Sequence, residues 1–325
     1  MNTAANVRLF ARPFSSWDDA LESFILNRRA QGYAPVTIRD YRYHVGTFFR
    51  RHPEAWEPQH ARRAILGYLA QEGIAPATFN IRRKYLCAFF SWAVGEGLYP
   101  DNPVKGIRRR KTEPRVIQHS AGTLQALLAL PDLTTFFGVR DMALILLSLD
   151  TAIRPSEALS LEWEDVDLPE LYVAVRASIA KTRQGRRLPI SPRTGEALVR
   201  LRAARPRDWE TALVFTTRDG TPLTSSAWSY RLRRDYAPKL GLDRLSAYDL
   251  RHDAALQAVR NGMSPFALKN MMGHSSIETT QLYIALSEKD VKEAHSTAGP
   301  LNALLPQKRT RAGKIAPAKG EKVKR

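Results

Sequence analysis

The chain of 325 residues has one cysteine, Cys87. A lone thiol excludes an intramolecular disulfide, and without a cysteine cluster a cysteine-rich zinc site is excluded too. Cys87 lies in the run Tyr85-Leu86-Cys87-Ala88-Phe89-Phe90, where a small buried hydrophobe is its expected role. No stretch approaches the roughly 20 apolar residues of a membrane span, and the N-terminal segment carries no apolar signal core. The expected location is therefore the cytoplasm, with no membrane partner. A glycine-rich phosphate loop and internal repeats are also missing. Acidic side chains are scarce: 32 Asp and Glu face 50 Lys and Arg, a net charge of +18. A cationic surplus of that size favours a polyanionic partner, nucleic acid before membrane, because each cation meeting a phosphate releases condensed counterion.

The surplus sits at the two ends. Residues 1–120 carry a net +9, residues 306–325 a net +7, and the stretch between them is almost balanced. The ends are thus expected to act through bulk attraction and the middle through a few placed cations.

From Ser15 to about Glu96 the periodicity is helical. Ser16-Trp17-Asp18-Asp19 reads as a capping box ahead of Leu21, Phe24 and Ile25. A second helix is expected from near Thr37 with Ile38, Tyr41, Val45 and Phe48, and a third over roughly 58–71. A fourth, entered after Pro76, carries Ile81, Tyr85, Phe89 and Trp92 on one face. Four such helices predict a compact bundle over 14–100 with its aromatics in the core. Pro100, Pro103 and Pro114 mark 101–114 as a linker containing Arg108-Arg109-Arg110-Lys111. Those four, with Arg82, Arg83 and Lys84, are the candidate DNA-backbone contacts. Beyond it, helices are expected near 139–149, 155–162, 192–204, 225–237 and 247–261. Two strands, Leu171–Ala180 and Arg187–Ile190, are expected to meet at Arg183-Gln184-Gly185. The fold class is thus mainly α with a small antiparallel sheet: a helical bundle followed by a mixed α/β domain over 115–298. Residues 306–325 are basic and almost free of apolar side chains, so a disordered tail is expected.

Four short motifs carry possible chemistry. They are Thr151-Ala152-Ile153-Arg154-Pro155-Ser156-Glu157, Lys181 on the predicted hairpin, Tyr248-Asp249-Leu250-Arg251-His252, and Gly273-His274-Ser275-Ser276 followed by Thr279-Thr280-Gln281-Leu282-Tyr283. Singly, each reads as ordinary structure: a surface arginine, a solvated lysine, an arginine paired with Asp249 or Asp253, a helix-end histidine, a packed tyrosine. Together and in this order they resemble the active site of the tyrosine recombinase, or phage-integrase-like, family. That site holds an arginine, a hairpin lysine, a His-x-x-Arg motif, a His or Trp, and a nucleophilic tyrosine. Arg154, Lys181, Arg251, His274 and Tyr283 take five of those places, with 23 residues from Arg251 to His274 and nine from His274 to Tyr283.

The resemblance, over roughly residues 14–295, implies a core-binding bundle and a catalytic domain that clamp double-stranded DNA between them. It implies site-specific recombination or integration by strand cleavage and rejoining through a 3′-phosphotyrosyl link to Tyr283, without metal, cofactor or ATP. Covalent storage of the phosphodiester energy has a physical rationale, since it divides one hard step into two. Two guanidiniums, Arg154 and Arg251, suit the charge that develops on the phosphate, because each is a rigid and permanently charged fork of donors. Lys181 is the candidate proton donor to the 5′-oxygen, and His274 a phosphate ligand or an aid to deprotonating the phenol. Glu157, one turn after Arg154, is expected to orient an arginine. The resemblance further implies a homotetramer on two synapsed sites, with a terminal helix over Glu288–Leu305 docking on a neighbour. One departure stands out: Tyr248 occupies the usual histidine place of His-x-x-Arg. A phenol can donate to phosphate but is neither a cation nor a near-neutral base. A silent DNA-binding protein and a single-site relaxing enzyme of the topoisomerase IB kind are the rival expectations.

Overall fold

A computed structural model describes residues 14–112, 117–274 and Tyr283. The expected terminal helix over 288–305, the tail and the residues flanking Tyr283 lie outside the described residues. The chain divides into two compact units, Met1–Pro114 and Arg115–Arg325.

In the first unit, proline and serine punctuation sets the helix starts. Ser16 caps α1 (Trp17–Ala30), its hydroxyl accepting from the Asp19 amide at 3.2 Å. The Asp19 carboxylate takes the Ser15 hydroxyl and, in return, the Ser16 backbone N–H, which completes the expected box. Prolines open α2 (Pro35–Arg51), α3 (Pro58–Leu69) and α4 (Pro76–Gly95). Proline is tolerated in a first turn because the missing N–H has no intrahelical partner there, and its fixed φ suits the helix. The helices close on an aromatic core: Phe24, Phe48, Phe49, Phe89 and Phe90 are fully buried. Their rings meet mostly edge to face, as Phe24 does on Tyr41 at 5.0 Å and Phe49 on Phe89 at 5.4 Å. That geometry is favoured because the positive ring edge meets the negative face. Two expectations need correction. Ile81 is 45% exposed, because the buried face of α4 runs through Phe79, Tyr85, Leu86, Phe89, Phe90 and Ala93. Cys87 is only half-buried beside Asn102, which donates to its carbonyl at 3.0 Å.

The second unit holds α5 (Ala121–Ala129), α6 (Phe136–Thr151), α7 (Pro155–Ala158), α8 (Pro192–Ala203), α9 (Ser225–Arg231), α10 (Ala247–Arg260) and α11 (Pro265–Met272). Its three-stranded antiparallel sheet is β1 (Val166–Asp167), β2 (Tyr172–Val175) and β3 (Arg186–Pro189), in that order. Val173 pairs with Val166 on one side and Leu188 on the other, and Val173, Val175 and Leu188 face the core. β1 was not anticipated, since two residues carry no readable alternation. β2 is shorter than the predicted strand: pairing ends at Val175, and Arg176 turns to Glu162 at 2.9 Å and Glu164 at 3.2 Å. α6 packs against both α8 and α10 and forms the centre of this unit.

Removing the Phe49 ring leaves a cavity among Trp17, Trp56, Phe89 and Phe90. Phe49→Ala should cost about 3–5 kcal/mol, the usual range for a buried phenylalanine. Urea unfolding followed by tryptophan fluorescence measures it; a loss below about 1 kcal/mol would show that the neighbouring rings collapse into the space.

Candidate active site

The site is built where α6 ends. Ala152 terminates α6 in the left-handed region, with φ 49°, and is fully buried. This conformation costs a non-glycine residue roughly 1–2 kcal/mol, so the surrounding packing must hold it. Three residues on, Pro155 disfavours a helical Arg154, which stays extended at φ −68° and ψ 139° and serves as N-cap of α7. The Thr-Ala-Ile-Arg-Pro sequence therefore swings Arg154 back across the unit.

Glu157 on α7 is completely buried and accepts two guanidiniums. Arg154 donates to its Oε1 at 2.9 Å and Arg186, from β3, to its Oε2 at 2.6 Å. Burial pushes the Glu157 carboxyl up, but the hydrogen bonds and charges of Arg186 and Arg154 outweigh it and hold the group below the usual carboxylate range. The second Arg154 arm reaches the Gly273 carbonyl at 2.7 Å, and Arg186 Nε the Met271 carbonyl at 2.9 Å. Both carbonyls belong to the end of α11, which closes at Gly273 with φ 64°. Glycine is required there twice over, by the positive φ and by space. A Cβ would lie 3.0 Å from the Arg186 guanidinium carbon and 3.2 Å from Arg154 Nη1.

Arg251, on α10, is buried and makes no ion pair with Asp249 or Asp253. Asp249 instead closes a capping box with Ser246, and Asp253 holds His119 at 2.7 Å. Arg251 donates to the carbonyls of Ala152 at 2.5 Å and Met272 at 3.0 Å, and to His274 Nε2 at 3.0 Å. Burial, then the Arg154 charge, pull its guanidinium down to about 10, still cationic at neutral pH. Burial and the charges of Arg251, Arg154 and Arg186 bring His274 down to about 4, so its ring is neutral and its Nε2 lone pair accepts from Arg251.

Tyr283 is 3% exposed and packs with Ala152, Ala254, Ala255, Leu256, Leu268 and Met272. Its hydroxyl meets His252 Nδ1 at 2.7 Å. Burial raises the phenol above its ordinary value, against the opposing pull of Arg251.

Residues 121–290 match the model of the phage integrase family. The chain is 31% identical to the tyrosine recombinase XerD of Ralstonia nicotianae over 234 residues, 69% of this chain and 74% of that relative. The chain belongs to the phage integrase family. It is a tyrosine recombinase, an enzyme of site-specific DNA recombination. XerA of Pyrococcus furiosus is 26% identical over 88% of this chain and 96% of its own length. In fold, the recombinase superposes on the Tn1549 transposon integrase in complex with a circular intermediate DNA, with TM-score 0.67, 18% identity, and 86% and 98% of the two chains covered. A lambda integrase dimer bound to a COC' core site gives TM-score 0.65 at 17% identity, over 84% of this chain and 78% of that one.

Of the residues singled out in the recombinase sequence, Arg154 and Glu157 bond with Arg186, Arg251 bonds with His274, and the three arginines meet at the backbone carbonyls that end α11; Tyr283 lies beside Arg251's helix. Lys181 stands apart: it is exposed on the connection between β2 and β3 and hydrogen-bonds no described residue. Tyr248, second residue of α10, is 55% exposed. In the first unit, four of the candidate DNA contacts are engaged by their own domain. Arg82 lies over Tyr68 and donates to Gln71, Arg83 donates to the Ile107 carbonyl, Lys84 lies over Tyr85 at 5.3 Å, and Arg110 covers Phe79 at 4.1 Å. Lys84, Arg108, Arg109 and Lys111 are exposed. Sequence reasoning missed Arg186 and passed over His252. Arg186 is one of two adjacent arginines on a short strand, and only the alternation that buries Leu188 hints that it, rather than Arg187, faces inward.

Glu157→Gln leaves Arg154 and Arg186 without their buried counter-charge and should cost about 3–5 kcal/mol at neutral pH. Because the carboxyl is depressed in the folded state, its contribution is complete above the unfolded value of about 4.3 and is lost as pH falls through the folded one. The gap between wild type and variant in denaturant midpoint should therefore be constant from pH 8 to 5 and shrink below about pH 4. A gap independent of pH down to acid unfolding would remove the ionised carboxylate from this account.

Proposed function

We propose that Tyr283 attacks a DNA phosphodiester held by Arg154 and Arg251, giving a 3′-phosphotyrosyl intermediate that a 5′-hydroxyl later reverses. One observation carries this reading: three largely buried guanidiniums stand together with one carboxylate, which pairs with two of them, and the histidine bonded to the third is neutral. The cluster thus retains about two positive charges that nothing described offsets. Uncompensated buried charge is costly, and a bound anion is the natural partner for it. A phosphate passing to a phosphorane gains negative charge where those forks point, and donors already in place need not reorganise.

Lys181 is assigned to protonating the leaving 5′-oxygen. Its exposure on the β2–β3 connection supports contact with DNA rather than with its own fold. Tyr248 is assigned to donating a hydrogen bond to the same phosphate; its exposure beside the start of α10 supports this. The first unit is assigned to the DNA backbone, chiefly through Lys84, Arg108, Arg109 and Lys111. A groove lined by Asn80, Ile81, Arg83, Lys84, Ser91 and Arg109 supports it. Phosphate contacts of this sort fix register without reading sequence. The active species is a homotetramer on two synapsed sites, in keeping with the family resemblance.

A nicked suicide substrate traps the covalent adduct. Tyr283→Phe should bind its DNA with near-normal affinity and form no adduct; an adduct in that variant would overturn the assignment. Arg154→Ala should slow single-turnover cleavage by about 10²–10³, the usual loss for one preorganised donor. Tyr248→Phe should slow it about tenfold, as fits one hydrogen bond of roughly 1.5 kcal/mol. A Phe variant cleaving at the wild-type rate would reduce Tyr248 to a surface residue.

A further inference from the structure

We infer that His252 is a catalytic residue of this recombinase, the base that takes the phenolic proton from Tyr283. The inference rests on the reading of Tyr283 as nucleophile. The deciding contact is the 2.7 Å approach of the Tyr283 hydroxyl to His252 Nδ1. A protonated phenol does not attack a phosphodiester efficiently, and burial makes this one harder to ionise than a free tyrosine. A base within hydrogen-bond reach is therefore required, and geometry is the first test for it. His274 is less well placed for that task, because its Nε2 lone pair is committed to the Arg251 guanidinium at 3.0 Å.

The surroundings of His252 suit the role. Burial is the largest influence on its ring and keeps it neutral, with Nδ1 able to accept. On its own helix Asp249 and Asp253 favour the imidazolium while Arg251 opposes it, and Asp253 is itself held by His119. From outside the helix, Tyr283 faces the ring directly, and His274 lies near enough for the two rings to interact electrostatically. When a phosphate binds Arg251 and Arg154, its negative charge offsets the cationic field that opposes protonation of His252. The base is then strengthened by the substrate on which it acts.

The step balances without any further reagent. As the Tyr283 Oη–P bond forms, the phenolic proton passes to His252 Nδ1. The P–O5′ bond breaks and the 5′-oxygen takes a proton from its acid, assigned above to Lys181. Religation runs the same transfers in reverse, with the imidazolium returning its proton to the departing phenol. General-base help of this kind contributes about 10²–10⁴ in rate.

The test is single-turnover cleavage of a suicide substrate from pH 5 to 9 by the full chain and by His252→Gln, with His252→Asn as a second variant. Wild type should gain rate through the titration of His252, below the ordinary histidine value of about 6.5, and level off above it. His252→Gln should be slowed about 10²-fold at pH 7 and keep rising to pH 9, because its rate follows the small phenolate fraction. The discriminating arm uses protein made with 3-fluorotyrosine, whose phenol is more acidic. Fluorination should speed the His252 variants well beyond its effect on wild type, which a purely structural role would not produce. Variants within twofold of wild type at every pH would overturn the assignment, as would slow variants that fluorination does not selectively rescue. Tyr283→Phe in the same assay separates the two levels. An adduct there means that the nucleophile itself is wrongly assigned, whereas an inert Tyr283→Phe beside an unaffected His252→Gln means that only the base is.

Discussion

The second unit is organised around one carboxylate. Glu157 has no solvent exposure and takes Arg154 and Arg186 on its two oxygens, and those arginines in turn hold the carbonyls of Gly273 and Met271. Three elements distant in sequence are thereby fixed to a single point: the turn after α6, strand β3 and the end of α11. Arg251 ties in a fourth, α10, through the Ala152 and Met272 carbonyls. Two nitrogens of each guanidinium in the cluster donate to a carboxylate, a backbone carbonyl or His274, which locks the forks in orientation. Arg186 Nη1 is buried and has no hydrogen-bond partner among the described residues. An unpaired donor at such a place is costly, and a phosphate oxygen would relieve it.

This arrangement gives up stability for readiness. The left-handed Ala152, the net positive charge and the orphaned donor each work against folding, and the apolar packing of α6 with α8 and α10 offsets them. The first unit follows a different logic. Its stability comes from interlocked aromatic rings, and several of its arginines are used to cover those rings rather than to extend into solvent. A basic sequence therefore overstates the number of cations available for DNA, since a guanidinium over an aromatic face has already found a partner.

The readable parts of the sequence were those with local causes. Prolines and capping serines mark the helix starts, and the spacing of Phe24, Tyr41, Phe48 and Phe89 fits the bundle's core. Strands were read less well. β1 is too short to show alternation, and the predicted length of β2 was cut at Arg176, where ion pairs to Glu162 and Glu164 replace cross-strand pairing. Ile81 fitted the helical stripe by spacing, yet the bundle buries the neighbouring row of α4. Periodicity specifies an apolar face only to within a residue or two.

What the sequence determined by itself was the family and the candidate chemistry, because Arg154, Arg251, His274 and Tyr283 stand in a recognisable order and spacing. Local stereochemistry could also be read there: Pro155 fixes the extended Arg154, and Gly273 permits a positive φ. The tertiary structure alone decided who meets whom. Arg186 joins the cluster because β3 runs past α7, and His252 reaches Tyr283 across 31 positions because α10 turns that edge toward it. Tyr248 and Arg251 lie three apart on the same helix, yet one is mostly exposed and the other buried. Spacing along a chain is set by covalent geometry, whereas the partner of a charged side chain is set by which distant backbone the core brings beside it. That information resides in packing, and no single motif contains it.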